Sequence, residues 1–202
     1  MSRHDSDLRV RLAQEAARLM AEHGVRDYGA AKRKAAERVG ARDERDLPTN
    51  REIEVALRDY QRLFQSQSQP QRLLELRKVA VEAMTFLAQF EPRLVGAVLE
   101  GTADAHSAVC LHLFEDDPSE VLRFLDDRQI PYDEDDRVLR LSREHSAEFP
   151  ALRFDADETT IDLTLLPRMH LRQAPLSRTA DTPMQRASIN AVRDLIAKQK
   201  GG

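Results

Sequence analysis

Apolar residues in the first ninety positions recur at helical spacing, and beyond Pro92 the pattern shortens and begins to alternate. Leu8, Leu12, Ala16, Leu19 and Met20 fall three or four apart and predict a helix over 8–23, capped by Gly24. A second helix, short and basic, is expected over 28–39 and stops at Gly40. Thr49, with Glu52 three residues on, writes a capping box, and Ile53, Leu57, Tyr60 and Phe64 supply the packing face of a third helix. The polar run Gln65 to Gln71 then leads into a fourth helix over 70–90. Leu73, Leu76, Ala80, Ala83, Leu87 and Phe90 line one side of it, and Leu74, Val79, Met84 and Phe86 broaden the stripe. A stripe that broad needs cover on more than one flank, so this helix either lies between the helices before it and a sheet after it or forms the seam of a homodimer.

Two apolar runs of strand length follow, Leu94 to Leu99 and Ala108 to Phe114, separated by a polar loop around Gly101 and Thr102. They are expected to pair as a hairpin-like core. Asp117, Pro118 and Glu120 mark a helix start, with Val121, Leu122, Phe124 and Leu125 as its apolar positions and an end near Gln129. Residues 137–142 alternate and read as a strand, and 151–154 with 160–166 read as a hairpin turning at 155–158. Within the last strand Ile161, Leu163 and Leu165 point one way, and Asp162 and Thr164 the other. After an irregular connector, Thr182 to Gln185 writes another capping box, and Ile189, Val192, Leu195 and Ile196 mark a closing helix. This order predicts an α+β fold: an N-terminal helical region, 1–68, packed on a mixed β-sheet domain, 69–202, with the helix over 70–90 linking the two.

Composition narrows the setting. The 202 residues are 41% hydrophobic and 33% charged, enough for one large domain or two small ones. A single cysteine leaves no intrachain disulfide and fits a reducing, cytoplasmic environment. No apolar run has the length of a membrane span, and the charged start lacks a signal peptide's apolar centre, so no membrane association is expected. The net charge of −4 supplies no global attraction to nucleic acid. Charge is nevertheless uneven. Arg26 to Arg45 holds seven basic against four acidic residues, and Arg26, Lys32, Arg33, Lys34 and Arg38 form either a solvated helix face or a patch contacting nucleic-acid phosphates. Glu115 to Arg137 reverses the balance, with ten carboxylates against three arginines, and is expected to be a solvated helix start and loop.

Over residues 93–166 the chain resembles the DNA polymerase beta-type nucleotidyltransferase superfamily, in which an apolar strand ends in Gly-Ser and the next strand bears Asp-x-Asp. Gly101-Thr102 is placed at the Gly-Ser, and Ser107-Ala108-Val109-Cys110-Leu111 at the Asp-x-Asp strand. The resemblance implies a mixed nucleotidyltransferase-like sheet, with Asp162 as the third carboxylate of the family's metal site and Ala108 and Cys110 where the other two would stand. Two-metal phosphoryl chemistry needs paired oxygen ligands on one strand face. Positions 108, 110 and 112 read Ala, Cys, His, so no metal site and no cofactor are expected.

Three functions follow as expectations. The first is a non-catalytic module that binds a nucleotide, an RNA or a partner protein, its phosphate contacts coming from Gly101, Thr102, His106, Ser107, Arg168 and Arg172. The second is an active nucleotidyltransferase using Mg2+, Asp162 and displaced acids among Glu100, Asp104 and Asp116. The third is a protein that only assembles. Cys110, His112 and Asp162 share a strand-face pattern that admits a nucleophile and base or part of a zinc site. The same pattern also suits a buried thiol and a hydrogen-bonded histidine.

Overall fold

The computed structural model describes residues 3–41 and 43–200. It is an α+β protein whose chain divides into two compact units, Met1–Pro70 with Arg178–Ala180, and Gln71–Ser177 with Asp181–Gly202.

The first unit is helical: α1 (Arg3–His23), α2 (Tyr28–Val39) and α3 (Asn50–Phe64). Leu12, Ala16, Leu19 and Met20 of α1 meet Ala31 and Ala35 of α2 and Ile53 and Leu57 of α3 in one buried cluster. The two alanines let α2 approach closely, since no larger side chain stands between the backbones. Asp27 caps α2 by accepting a 2.7 Å bond from the Ala30 amide. At α3 the capping box forms in full, the Glu52 amide donating to Thr49 Oγ1 at 3.2 Å and the Thr49 amide to Glu52 Oε2 at 2.6 Å. Arg9 of α1 adds a fork to the same Glu52 carboxylate at 2.9 and 3.1 Å, tying two helices together. Burial works to raise the Glu52 pKa, yet the Arg9 and Thr49 bonds outweigh it and hold the carboxyl at about 2.

The second unit contains α4 (Ser68–Phe86) from Gln71 onward, β1 (Arg93–Val95), α5 (Ala97–Glu100), β2 (Val109–Phe114), α6 (Ser119–Asp126), β3 (Asp133–Arg140), β4 (Ser146–Ala156), β5 (Thr159–Leu166) and α7 (Ile189–Lys200). One mixed sheet runs in the order β1-β2-β5-β4-β3. β1 pairs antiparallel with β2, β2 runs parallel to β5, and β4 is antiparallel to both its neighbours. Strict alternation gives the sheet two unlike faces. Leu94, Val109, Leu111, Leu113, Ile161, Leu163, Leu165 and Leu152 form one, packed with Leu73, Leu76, Ala80 and Met84 of α4, Val121 and Leu125 of α6, and Val192 of α7.

Four expectations need correction. The run Leu94 to Leu99 is not one strand: β1 stops at Val95, Gly96 turns the chain at φ 70°, and 97–100 coil into α5. The acids Asp133 to Asp136, expected in a loop, lie inside β3 at the sheet edge. β4 is far longer than 151–154 because pairing on both sides carries it from Ser146 to Ala156, with Pro150 included opposite Asp136. The capping box at Thr182 does not form. The Met184 amide instead bonds to Pro175 O at 2.7 Å and Ala187 bridges to Leu94, so α7 begins after Ser188, whose hydroxyl accepts from the Ala191 amide at 3.4 Å.

Candidate functional site

The second face of the sheet carries polar groups through its middle. Register places Arg93 beside His112, Cys110 beside Asp162, His112 beside Thr164 and Asp162 beside Arg153, all on one side. Arg137 of β3 reaches across β4 from the same side. Its guanidinium holds Asp162 in a two-pronged fork at 2.7 and 2.8 Å and donates a third bond to Thr164 Oγ1 at 3.2 Å. Arg153 adds a second cation 3.8 Å from Asp162 and also reaches Asp135 at 3.5 Å. Burial acts to lower the Arg137 pKa, but the Asp162 bonds and charge raise it overall, so the guanidinium is firmly charged.

His112 lies two residues along from Cys110 and is 2% exposed. Its Nδ1 is buried with no hydrogen-bond partner among the described residues. Burial, then the charges of Arg186 and Arg137, push its pKa from 6.5 to about 3, so the ring is neutral at physiological pH. Arg186 comes from the connector before α7. It donates to the His170 and Leu171 carbonyls at 2.7 and 2.9 Å, sits over the Phe114 ring at 5.3 Å, and makes no ion pair among the described residues. Burial and then the Arg93 charge lower its pKa from the ordinary arginine value, and an arginine stays a cation near neutrality. This face therefore sets Arg93, Arg137, Arg153 and Arg186 against Asp133, Asp135 and Asp162. Beyond them, Phe114, Leu139, Phe149 and Leu166 close one end with a small apolar cluster.

The residues expected to hold phosphate do not assemble. Ser107 precedes the start of β2, whereas Arg168 follows the end of the parallel β5. Six strand residues intervene, about 20 Å at the usual rise. Arg168 is engaged at its own end, with Glu115 at 3.0 Å and with its amide on Asp116 at 2.9 Å, and Arg172 lies exposed after the short turn that Arg168 opens. At the other end the loop closes on itself. The amides of Gly101, Thr102 and Ala103 all donate to Ala97 O. Asp104 N bonds to Ser107 Oγ at 2.9 Å, His106 N to Asp104 Oδ1 at 2.9 Å, and Ser107 N to Asp104 O at 3.2 Å. A phosphate there would meet amides already engaged. Gly101 is also not where the strand ends: it caps α5, and the glycine directly after β1 is Gly96, followed by Ala97.

The acids proposed as a displaced metal site are equally dispersed, with Asp104 before β2, Asp116 beyond it and Asp162 at its flank. Among the described residues no three His, Cys, Asp or Glu side chains are disposed to hold a metal ion. Cys110, His112 and Asp162 do share a face as alternation predicted, but Asp162 turns to arginine rather than to either neighbour. On α2 the basic residues scatter around the helix: Arg38 pairs with Glu15 at 3.0 Å, Lys32 is half-buried, and Arg33 and Lys34 are exposed, as is Arg26 ahead of the helix. The arginine cluster on the sheet was not visible in sequence, because Arg137, Arg153 and Arg186 meet Asp162 and His112 only through the register of four strands and a distant connector.

Among the described residues no helix is long and apolar enough to cross a membrane. Comparisons with protein-family models, curated proteins and solved structures give no match.

Proposed function

We propose that the sheet unit is a nucleotidyltransferase-like scaffold that has exchanged its cations for arginine, and that it serves as a metal-independent binding module for the phosphates of a nucleotide or RNA. The observation that carries this reading is the fork of Arg137 on Asp162. The one acid that can be placed on the resemblance has both oxygens occupied by a guanidinium, and Cys110 and His112 beside it offer a thiol and an imidazole in place of carboxylates. A divalent cation at Asp162 would have to displace Arg137 and would find no second oxygen donor on β2. An anion meets cations instead: Arg186 and the neighbouring Arg93 are half-buried, each with part of its guanidinium spent on backbone carbonyls, and the charge and the donors that remain suit phosphate oxygens.

The strand-helix order supports the same reading once Gly96 and Ala97, rather than Gly101 and Thr102, occupy the strand-end position. β1 then leads through a glycine into α5 and on to β2, and the antiparallel and parallel pairings of β2 give the mixed sheet that the resemblance implies. The working-enzyme reading is less well supported, since its carboxylates are spread beyond both ends of β2.

Equilibrium binding of a fluorescent ATP analogue to the full chain tests the proposal, in EDTA and again with excess Mg2+. Equal affinity in both buffers is expected, with a loss of about tenfold, or about 1.4 kcal/mol, in Arg186→Gln. Binding that appears only with the metal, or release of pyrophosphate that Asp162→Asn abolishes, would restore the enzyme.

A further inference from the structure

The helical unit leaves its large apolar side chains uncovered in one place. Val10 of α1 and Val55, Leu63 and Phe64 of α3 are 53, 55, 67 and 71% exposed. All four line a single open groove of about 1240 Å3 walled by α1 and α3. Its floor is made of small residues, Ala13 and Ala56, which leave room above them. Tyr60 lies against Phe64 with ring centroids 4.8 Å apart and steadies that side chain at the groove's end. An apolar surface gathered this way marks a contact site, whereas single exposed apolar residues do not.

The charges around the groove say what kind of partner it suits. Arg9 is taken by Glu52, Arg18 by Glu15 and Glu22, and Asp59 by Arg62. Arg11 on α1 and Arg51 on α3 are exposed, line the groove, and make no ion pair among the described residues. The surplus is cationic and comes from both walls. Both walls are helices whose backbones bond internally, so there is no sheet edge to recruit an extended strand, and recognition must run through side chains. A second copy meeting this face about a two-fold axis would set two faces with the same cationic surplus against each other, which repel.

We propose that the α1–α3 groove docks an amphipathic helix of a partner protein, with apolar residues at i, i+3, i+4 and i+7 on the groove floor and carboxylates flanking them toward Arg11 and Arg51. This proposal does not rest on the sheet face and stands whether or not that face binds phosphate.

Fluorescence anisotropy with two synthetic helical peptides of about 18 residues tests it. They share one leucine stripe, and one carries glutamates beside it where the other carries lysines. The glutamate peptide is expected to bind the full chain, and Phe64→Ser and Val10→Asn, changes at exposed positions on the two walls, each weaken it about tenfold. The pair Arg11→Glu and Arg51→Glu is expected to reverse the preference toward the lysine peptide. Circular dichroism checks that each variant keeps its helix content. The proposal fails if neither peptide binds, if both bind alike, or if Phe64→Ser and Val10→Asn leave binding unchanged. It fails equally if sedimentation shows a dimer that Phe64→Ser dissolves, because a second copy then fills the groove.

Discussion

Asp162 is 12% and Arg137 20% exposed as side chains, so their pairing has been withdrawn from most of the solvent that would otherwise screen it. Removing Arg137 leaves Asp162 with only the longer contact to Arg153 at 3.8 Å, and Arg137→Met is expected to lower stability by about 2 kcal/mol in urea unfolding. The double variant Arg137→Met with Asp162→Leu should recover most of that loss, because no charge is then left unpaired. A double variant as unstable as the single one would mean that the pair matters for its shape rather than its charge. His112 gives a pH test at the same scale. Its folded pKa lies near 3 against 6.5 for the free side chain, so below 6.5 the unfolded chain takes up a proton that the folded chain refuses. The stability tied to this residue is complete above pH 6.5 and declines as pH falls toward 3, by about 1.4 kcal/mol per unit. Unfolding measured at pH 6.5 and 4.5 should show the wild type losing about 2 kcal/mol more than His112→Gln, since both lose the carboxylate contributions alike. Alternation alone put Cys110, His112 and Asp162 on one face of their strands. Their arginine partners were hidden, because no local pattern says which distant strand will lie beside which.

At the scale of elements, the helices were legible where a cap and a periodic stripe coincided. Thr49 with Glu52 and the Ile53, Leu57 spacing led to an α3 that forms with its capping box intact. The same four-residue signature at Thr182 failed, because residues 183–187 find backbone partners in Pro175 and Leu94 and the chain stays extended. Local chemistry writes an offer, and tertiary pairing can outbid it. The turn from β1 into α5 was missed for a different reason. Six residues are too few to show a period, and Gly96 is the only break among the apolar ones. That glycine sits at φ 70° and ψ −155°, a region closed to other residues without strain. Gly96→Ala is expected to lower the urea midpoint by an amount equivalent to about 2 kcal/mol. The added methyl would meet Cys110 Cβ at 3.9 Å, an ordinary contact, so the loss is one of backbone conformation. An unchanged midpoint would show that 96–100 adopts another path in solution.

For the molecule as a whole, the weak point of the sheet is its outer edge. β1 is flanked on its free side by the bridge between Leu94 and Ala187, whereas β3 ends the sheet, and the backbone bond described on its outer flank lies at its far end, where the Arg140 carbonyl accepts from the Leu176 amide at 2.7 Å. Such an edge invites pairing with another chain, and charged side chains along it oppose that. Asp133, Glu134, Asp135 and Asp136 stand in a row there, all exposed, which gives the acidic run a role that a loop would not. Sequence alone showed the charge and not the role, because a carboxylate run inside a strand runs against strand propensity and is tolerated only where one flank stays in water. Replacing these four acids by threonine takes the formal net charge from −4 to 0, so self-association by lost repulsion must be separated from association through the edge. A second variant, with Asp7, Glu37, Glu82 and Asp194 on exposed helix positions changed to threonine, carries the same net charge and keeps the edge acidic. Light scattering against concentration is expected to show the edge variant forming large species well below the concentration at which the helix variant does, with added β-signal in its circular dichroism. If the two variants associate alike, net charge alone keeps the chains apart and the open flank of β3 is protected by something other than its acids.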